Sequence, residues 1–231
     1  MRLGLVIDID TCVGCHACAT ACKQWNTSGT TGPLTDYRPY GENPSGVWFN
    51  RIRHYEIGDY PNNKTINFPM SCMHCEDADC VTVCPTGASY KRAEDGVVLV
   101  DQTKCMGCNY CSWACPYGAR ELDRESGTMK KCTLCIDRIY DEELEEIDRQ
   151  PACVITCPAH ARYFGDFDDP NSEVSKLVRE RAGMQLMPEL GYNPTNRYLP
   201  PRLTTPIPTD DVRKTDLISS VKQWVNKAIA R

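Results

Sequence analysis

The sequence predicts an α+β fold in which short β strands feed cysteine-bearing loops. Three observations carry that expectation: 16 cysteines that divide into four groups of four, a Cys-Pro step that closes three of the groups, and β-rich runs before the first and third. The first group, Cys12-Val13-Gly14-Cys15-His16-Ala17-Cys18-Ala19-Thr20-Ala21-Cys22, spaces its thiols by two, two and three residues. A tightly wrapped backbone can bring three thiols so spaced around one iron-sulfur cubane, whereas the fourth leaves on the following turn and serves a second cluster. The motif therefore needs partner cysteines elsewhere in the chain.

The remaining groups are Cys72, Cys75, Cys80 and Cys84; Cys105, Cys108, Cys111 and Cys115; and Cys132, Cys135, Cys153 and Cys157. The middle gap widens to four residues in the second group and to 17 in the fourth, yet each group keeps a leading Cys-x-x-Cys and a closing Cys-x-x-x-Cys. Three groups exit through Cys84-Pro85-Thr86-Gly87-Ala88, Cys115-Pro116-Tyr117-Gly118-Ala119 and Cys157-Pro158-Ala159-His160-Ala161. Proline fixes the exit direction and removes a backbone donor that would need a partner beside a cluster. The runs Gly4 to Asp10 and Gly96 to Asp101 read as strands that feed the first and third groups. Strand, cluster loop, Cys-Pro and strand thus form an internal repeat.

A disulfide scaffold would call for an oxidising compartment and a small secreted chain. Zinc sites pair two Cys-x-x-Cys corners and have no use for runs of three plus one. Soft thiolates in this spacing suit iron-sulfur clusters.

Residues 23 to 71 hold no cysteine. Gly29, Gly32, Pro33, Pro39, Gly41, Pro44 and Gly46 predict a loop, then Val47 to Glu56 a strand and, after a turn at Gly58 to Asn63, Thr65 to Phe68 its hairpin partner. This insert is expected to form a small sheet outside the cluster-bearing cores, and either contacts a partner subunit or shields a cluster from water. A second hairpin is expected from Ser89 to Arg92 and Val97 to Val100 across Glu94-Asp95-Gly96. The acidic run Asp141 to Asp148 reads as a helix or loop, a solvated face or a recruiter of a basic surface. From Asp166 the chain carries seven prolines between Pro170 and Pro208 and is expected to lie extended. It ends in a helix capped by Asp216, with Leu217, Ile218, Val221, Trp224, Val225 and Ile229 on one face, and Lys222, Lys227 and Arg231 toward the other side or the C-terminal end. That face packs on the chain's own body or docks on another subunit.

Apolar residues make up 41% and aromatics 8% of the 231 residues, a modest core supply that bound cubanes would supplement. Cluster binding and folding should therefore be coupled. A net charge of −5 without a basic block excludes a phosphate-tracking surface. No stretch approaches the roughly 18 to 20 apolar residues of a membrane span. The start, Met1 to Ile7, lacks a leader pattern and a twin-arginine pair, so the expected location is the cytoplasm, unless a signal-bearing partner exports the folded chain.

Lys23, Lys104, Lys130 and Lys131 crowd the cluster loops and either offset anionic clusters or are ordinary surface lysines. His16 and His74 stand between cluster cysteines, and His160 takes the place of Gly87 and Gly118 in the repeat. With four thiolates per group, hydrogen bonding to cluster sulfur or to a partner is the expected histidine role rather than ligation. No paired carboxylates, Ser-His-Asp set or phosphate-cradling glycine loop signals bond chemistry, so no catalytic residue is expected.

On these motifs residues 3 to 165 resemble bacterial ferredoxins with two [4Fe-4S] clusters, duplicated into a four-cluster subunit. More closely they resemble the electron-transfer subunits of the dimethyl sulfoxide reductase family of molybdoenzymes. The resemblance implies one double-cluster module, residues 70–125, inserted in a split one made of 1–22 and 126–165, with a β insert at 23–69 and a tail at 166–231. It assigns cluster 1 to Cys12, Cys15, Cys18 and Cys157, and cluster 2 to Cys22, Cys132, Cys135 and Cys153. Cluster 3 falls to Cys72, Cys75, Cys80 and Cys115, and cluster 4 to Cys84, Cys105, Cys108 and Cys111. Some relatives place tryptophan at one ligand position of the third group and carry a three-iron cluster; here Trp113 lies beside an intact set.

The resemblance further implies a wire. A molybdenum-bis(molybdopterin guanine dinucleotide) catalytic subunit would meet cluster 1, and a membrane quinone-binding subunit cluster 4, the only membrane contact being through that partner. Cys15-His16-Ala17-Cys18, Asn26-Thr27-Ser28-Gly29, Tyr117 to Leu122 and Asn196-Arg197-Tyr198-Leu199-Pro200 resemble the iron-sulfur subunits of cytoplasm-facing sulfite dehydrogenases. Sulfite oxidation is then the expected reaction of the complex. Reduction of dimethyl sulfoxide, tetrathionate, thiosulfate or polysulfide is the alternative within the family, and a free polyferredoxin the alternative outside it.

Overall fold

The computed structural model describes residues 1–27, 47–61, 63–202, 222 and 226. In chain order the elements are β1 (Leu3–Asp8), α1 (Ala17–Asn26), β2 (Asn50–Ile57), β3 (Lys64–Ser71), α2 (Asp79–Thr82), β4 (Ser89–Lys91), β5 (Val98–Val100) and α3 (Tyr110–Trp113). They continue as β6 (Glu121–Asp123), β7 (Thr128–Lys130), α4 (Ile136–Ile139), α5 (Ala152–Ile155), β8 (Arg162–Asp166), α6 (Glu173–Glu180) and β9 (Arg197–Leu199).

β1 is buried along its whole length, which suits an unbroken apolar run covered on both faces. It pairs antiparallel with β8 from Leu3↔Asp166 to Ile7↔Arg162 and parallel with β9 from Val6↔Arg197. The strand ends at Asp8, earlier than Asp10, because the Asp8 side chain turns the chain toward the first cysteine. Its carboxylate accepts from the Asp10 N–H at 3.1 Å and the Thr11 hydroxyl at 2.9 Å.

The hairpin of β2 and β3 forms in full register, Asn50↔Ser71 to Ile57↔Lys64, and the hairpin of β4 and β5 lies where Ser89–Arg92 and Val97–Val100 predict it. The loop expected from Gly29 to Gly46 lies outside the described residues. A third hairpin, β6 with β7, pairs Glu121 with Lys130 and Asp123 with Thr128 across residues 124–127. Its Asp123 side chain accepts from the Glu125 N–H and Ser126 hydroxyl, a local turn whose weight is not apparent from the Asp-Arg-Glu-Ser-Gly string alone. The acidic run carries a single short 3-10 turn, Glu146–Asp148.

The β insert does not stand outside the cores. Ile52, Phe68 and Met70 join the main apolar cluster with Leu5, Ile7, Met73, Leu134, Leu186 and Tyr198. Phe68 stacks on Tyr198 at 4.5 Å, and the Tyr198 hydroxyl donates to the Pro69 carbonyl at 2.7 Å.

Residues 166–202 are also not an extended tail. Ser172 caps α6 by accepting from the Ser175 N–H, and Val174 packs against Val6 and Leu199 beneath β1. Pro170, Pro188, Pro194 and Pro200 all fall outside the helices' interiors and the strands, so they shape turns and leave these elements intact. The helix expected from Asp216 lies outside the described residues except at Lys222 and Asn226, both helical.

Candidate iron-sulfur centres

The four leading Cys-x-x-Cys loops share one backbone device. The residue before the second cysteine is left-handed in each: Gly14 (φ 71°), His74 (φ 47°), Gly107 (φ 68°) and Leu134 (φ 56°). Such turns rotate successive N–H groups into a concavity that favours an anion. At Gly107 a Cβ would lie 2.3 Å from the Gly127 carbonyl, which is backbone, while at Gly14 it would lie 2.6 Å from Asn67 Oδ1 and require the Asn67 and His54 side chains to shift.

The exits share another. Gly87 (φ 65°), Gly118 (φ 59°) and His160 (φ 48°) are left-handed, three residues after their cysteines. A Cβ at Gly87 or Gly118 would meet nothing within 4 Å, which explains how the repeat accommodates the exposed His160. The turn returns backbone donors to the thiol: Ala161 N–H reaches Cys157 Sγ at 3.3 Å, and Ser89 N–H reaches Cys84 Sγ at 3.3 Å.

Among the described residues, two cavities are lined by cysteines. One, of about 330 Å³ including its solvent mouth, is bordered by Cys12, Cys15, Cys18, Cys157, Ile52, Pro69 and Arg162. Ile52 and Pro69 make the hairpin a wall of this cavity, which favours shielding as the insert's role. The other, of about 320 Å³, is bordered by Cys84, Cys105, Cys108, Cys111, Thr86 and Met129. Cys22 interacts electrostatically with Cys132, Cys153 and Cys135, and Asn26 Nδ2 lies 3.6 Å from Cys22 Sγ and 3.4 Å from Cys135 Sγ. Cys75 interacts likewise with Cys72, Cys115 and Cys80.

Burial dominates the titration of these thiols. It pushes Cys153 and Cys115 up to about 11 and drives Cys132 and Cys75 higher still, with neighbouring thiolates adding to the shift in Cys115, Cys132 and Cys75. Thiols whose ionisation burial opposes become thiolates only beside a cationic core, which is what iron supplies. The donor set also fits by its complement. Arg162 Nη1 is buried without a hydrogen-bond partner among the described residues, and its side chain borders the first cavity. Among the described residues no three His, Cys, Asp or Glu side chains converge as on a single ion.

The lysines divide. Lys23 and Lys131 are buried, and burial lowers the pKa of both. Lys23 donates to the Val47 carbonyl at 2.9 Å, and Lys131 to the carbonyls of Cys132 and Val98. Lys104 and Lys130 pair with Asp101 and Asp123.

His16, His54 and His74 bond to protein groups. His16 Nε2 lies 3.1 Å from His54 Nε2, whose ring meets Asn67 at 2.7 Å, and Asn67 donates to the Cys12 carbonyl. His74 accepts from the Val98 N–H at 3.1 Å and is kept neutral by burial and by the nearby charges of Lys131 and Arg120. Trp113 is 75% exposed, so its ring is no part of the buried cysteine set.

Sequence reasoning assigned no role to Arg120 and Arg162. Both stand five residues after a closing cysteine, a positional signal that only the aligned repeats reveal. Arg120 Nη2 meets Cys80 Sγ at 2.9 Å and Ser89 Oγ at 2.8 Å, while Arg162 Nη2 donates to Asn50 Oδ1 at 2.8 Å.

Residues 63–167 match the family model of the 4Fe-4S dicluster domain. The chain is 64% identical over 203 residues to a sulfite dehydrogenase subunit of Allochromatium vinosum, covering 88% of this chain and 85% of that one. It is 39% identical to a chain assigned as a dimethyl sulfoxide reductase iron-sulfur subunit in Halobacterium salinarum, covering 85% and 78%. It is 34% identical to a tetrathionate reductase subunit of Salmonella typhimurium, covering 86% and 72%. With its ferredoxin-like α+β fold and cysteine-lined sites for [4Fe-4S] clusters, the chain belongs to the iron-sulfur electron-transfer subunits of the dimethyl sulfoxide reductase family of molybdoenzymes, non-catalytic components of oxidoreductase complexes.

Proposed function

We propose that the chain holds four [4Fe-4S] clusters in two nested double-cluster modules and links a molybdopterin catalytic subunit to a quinone-reactive membrane subunit during sulfite oxidation. The ligand sets are Cys12, Cys15, Cys18 and Cys157; Cys22, Cys132, Cys135 and Cys153; Cys72, Cys75, Cys80 and Cys115; and Cys84, Cys105, Cys108 and Cys111. The observation that carries the reading is the shared lining of the first cavity by Cys12, Cys15, Cys18 and Cys157, which joins sulfurs from both ends of the split module. The second cavity supports the last set in the same way.

When bound, the clusters supply one-electron carriers, while the chain spaces them, excludes water and tunes them by hydrogen bonds and charge. Sulfite as the substrate rests on the likeness to the sulfite dehydrogenase relative. Oxidation of sulfite to sulfate takes up water and releases two protons and two electrons, which the catalytic partner would pass to this chain. The complex is placed on the cytoplasmic face of the inner membrane, held there by its membrane partner. No helix among the described residues is long and apolar enough to cross a membrane.

The natively purified complex, kept anaerobic and oxidised, tests the reading. Sulfite should bleach cluster absorbance and bring up paramagnetic signals from reduced clusters. Reoxidation of the reduced complex by dimethyl sulfoxide or tetrathionate, with no response to sulfite, would replace the dehydrogenase with a reductase, to which other relatives' names point. Migration of the native chain alone near 26 kDa would make it a free polyferredoxin.

A further inference from the structure

We propose that three buried cations, Arg162, Lys131 and Arg120, occupy the three gaps between successive clusters, and that each raises the reduction potential of the two clusters it separates. The inference rests on the four-cluster reading above. All three side chains are almost sealed from solvent, at 3%, 3% and 1% exposure.

Their neighbours place them in order along the chain of clusters. Arg162 interacts with Cys18 of cluster 1 and with Cys153 and Cys22 of cluster 2, and it borders the cavity of Cys12, Cys15, Cys18 and Cys157. Lys131 interacts with Cys72 and Cys80 of cluster 3, with Cys132 of cluster 2, and with the Arg120 cation beside cluster 3. Cys132 and Cys72 also act on each other, so the two modules meet at that point. Arg120 interacts with Cys80 and Cys72 of cluster 3 and Cys111 of cluster 4, and touches Cys80 Sγ directly.

Beside the cysteine sulfurs, uncharged groups hold these cations by hydrogen bonds: Asn50 Oδ1 for Arg162, the Val98 and Cys132 carbonyls for Lys131, Ser89 Oγ for Arg120. Neutral partners fix Arg162 and Lys131 without cancelling their charge. One-electron reduction adds a negative charge to a cluster, so a fixed cation in a low dielectric favours the reduced form over the oxidised one. Standing between two clusters, the same cation raises both potentials. The repeat supports a common design, since Arg120 and Arg162 follow their closing cysteines at the same interval.

The test is a redox titration of the anaerobic complex, read by the paramagnetic signals of individual clusters, for the native chain and for Arg162→Gln, Lys131→Gln and Arg120→Gln. Each substitution is expected to lower two clusters, changing their reduced-to-oxidised ratio at fixed potential about tenfold, or about 59 mV for a one-electron couple. Arg162→Gln should move the pair of the split module, Arg120→Gln the pair of the inserted module, and Lys131→Gln one cluster of each. Arg162→Lys should restore most of the native potentials, an outcome that a purely structural role does not require. If Arg162→Gln loses iron, Asn50→Asp decides in its place, because a carboxylate on the same guanidinium should lower the same two clusters. Full iron with unmoved potentials, or an equal shift in all clusters, overturns the proposal. Iron and acid-labile sulfide on the native sample separate this from the underlying reading: fewer than about sixteen irons per chain would end the four-cluster count itself.

Discussion

Arg51 of β2 and Glu121 of β6 form a buried ion pair, 11% and 6% exposed, that ties the β insert to the hairpin after the third cysteine group. Glu121 also accepts from the Trp48 N–H, and Arg51 donates to the Trp48 carbonyl, so one carboxylate organises the entry to β2. Removing one partner of a buried pair leaves the other uncompensated, at a cost of about 3–5 kcal/mol. Glu121→Ala should therefore lower stability by that amount in anaerobic urea denaturation followed by cluster absorbance. A loss below about 1 kcal/mol would mean that the pair behaves as an exposed one.

The glycines of the repeat are predicted to differ in kind. Gly107→Ala drives a Cβ to 2.3 Å from the Gly127 carbonyl, whereas Gly118→Ala meets open space at a similar φ. Gly118→Ala should cost only the left-handed strain, about 1–2 kcal/mol, and keep its iron. Gly107→Ala should lose iron from the loop it shapes. Equal iron contents in the two purified variants would refute this.

Asp8 gives the start of the first cluster loop a pH dependence. Burial tends to raise its pKa, but the hydrogen bonds from Arg181 and Thr11 outweigh that, and the folded value lies below the ordinary 3.8. A depressed carboxylate stabilises the fold above the unfolded pKa and loses that contribution as pH falls through the folded one. Asp8→Asn should be about 2 kcal/mol less stable at pH 7, and the gap should close below pH 4. A gap that stays constant down to pH 3 would assign the effect to packing.

Iron removal should dissolve the fold. Cys18, Cys72, Cys132 and Cys153 belong to the main apolar cluster, so the cluster sites are part of the core rather than appended to it. Anaerobic chelation is expected to abolish the cooperative urea transition and expose apolar surface to a fluorescent dye. A cooperative transition in the iron-free chain would show that the apolar contacts suffice.

Short-range order was legible in the residues. The β2–β3 and β4–β5 hairpins follow from alternation bounded by turn residues. The β6–β7 hairpin was not legible, because its turn depends on one side chain, Asp123. The stretch after Asp166 misled for a related reason. Its prolines suggest extension, yet they stand in turns, and β9 exists only because β1 offers a free edge on the side away from β8.

The amino-acid sequence by itself determined the chemistry: sixteen thiols in repeated short spacings specify iron-sulfur ligation, since ligand type and local loop geometry are encoded within about a dozen residues. The left-handed turns recur with the motif, at Gly14 and Gly107 but also at His74 and Leu134. Only the tertiary structure decided that Cys157 lines the same cavity as Cys12, that Lys131 is buried while Lys104 is a surface residue, and that Arg120 and Arg162 reach the cysteine sulfurs. Those outcomes depend on which distant segments pack together, and burial, the quantity that turns a cation into an electrostatic influence, has no signal in a local string of residues.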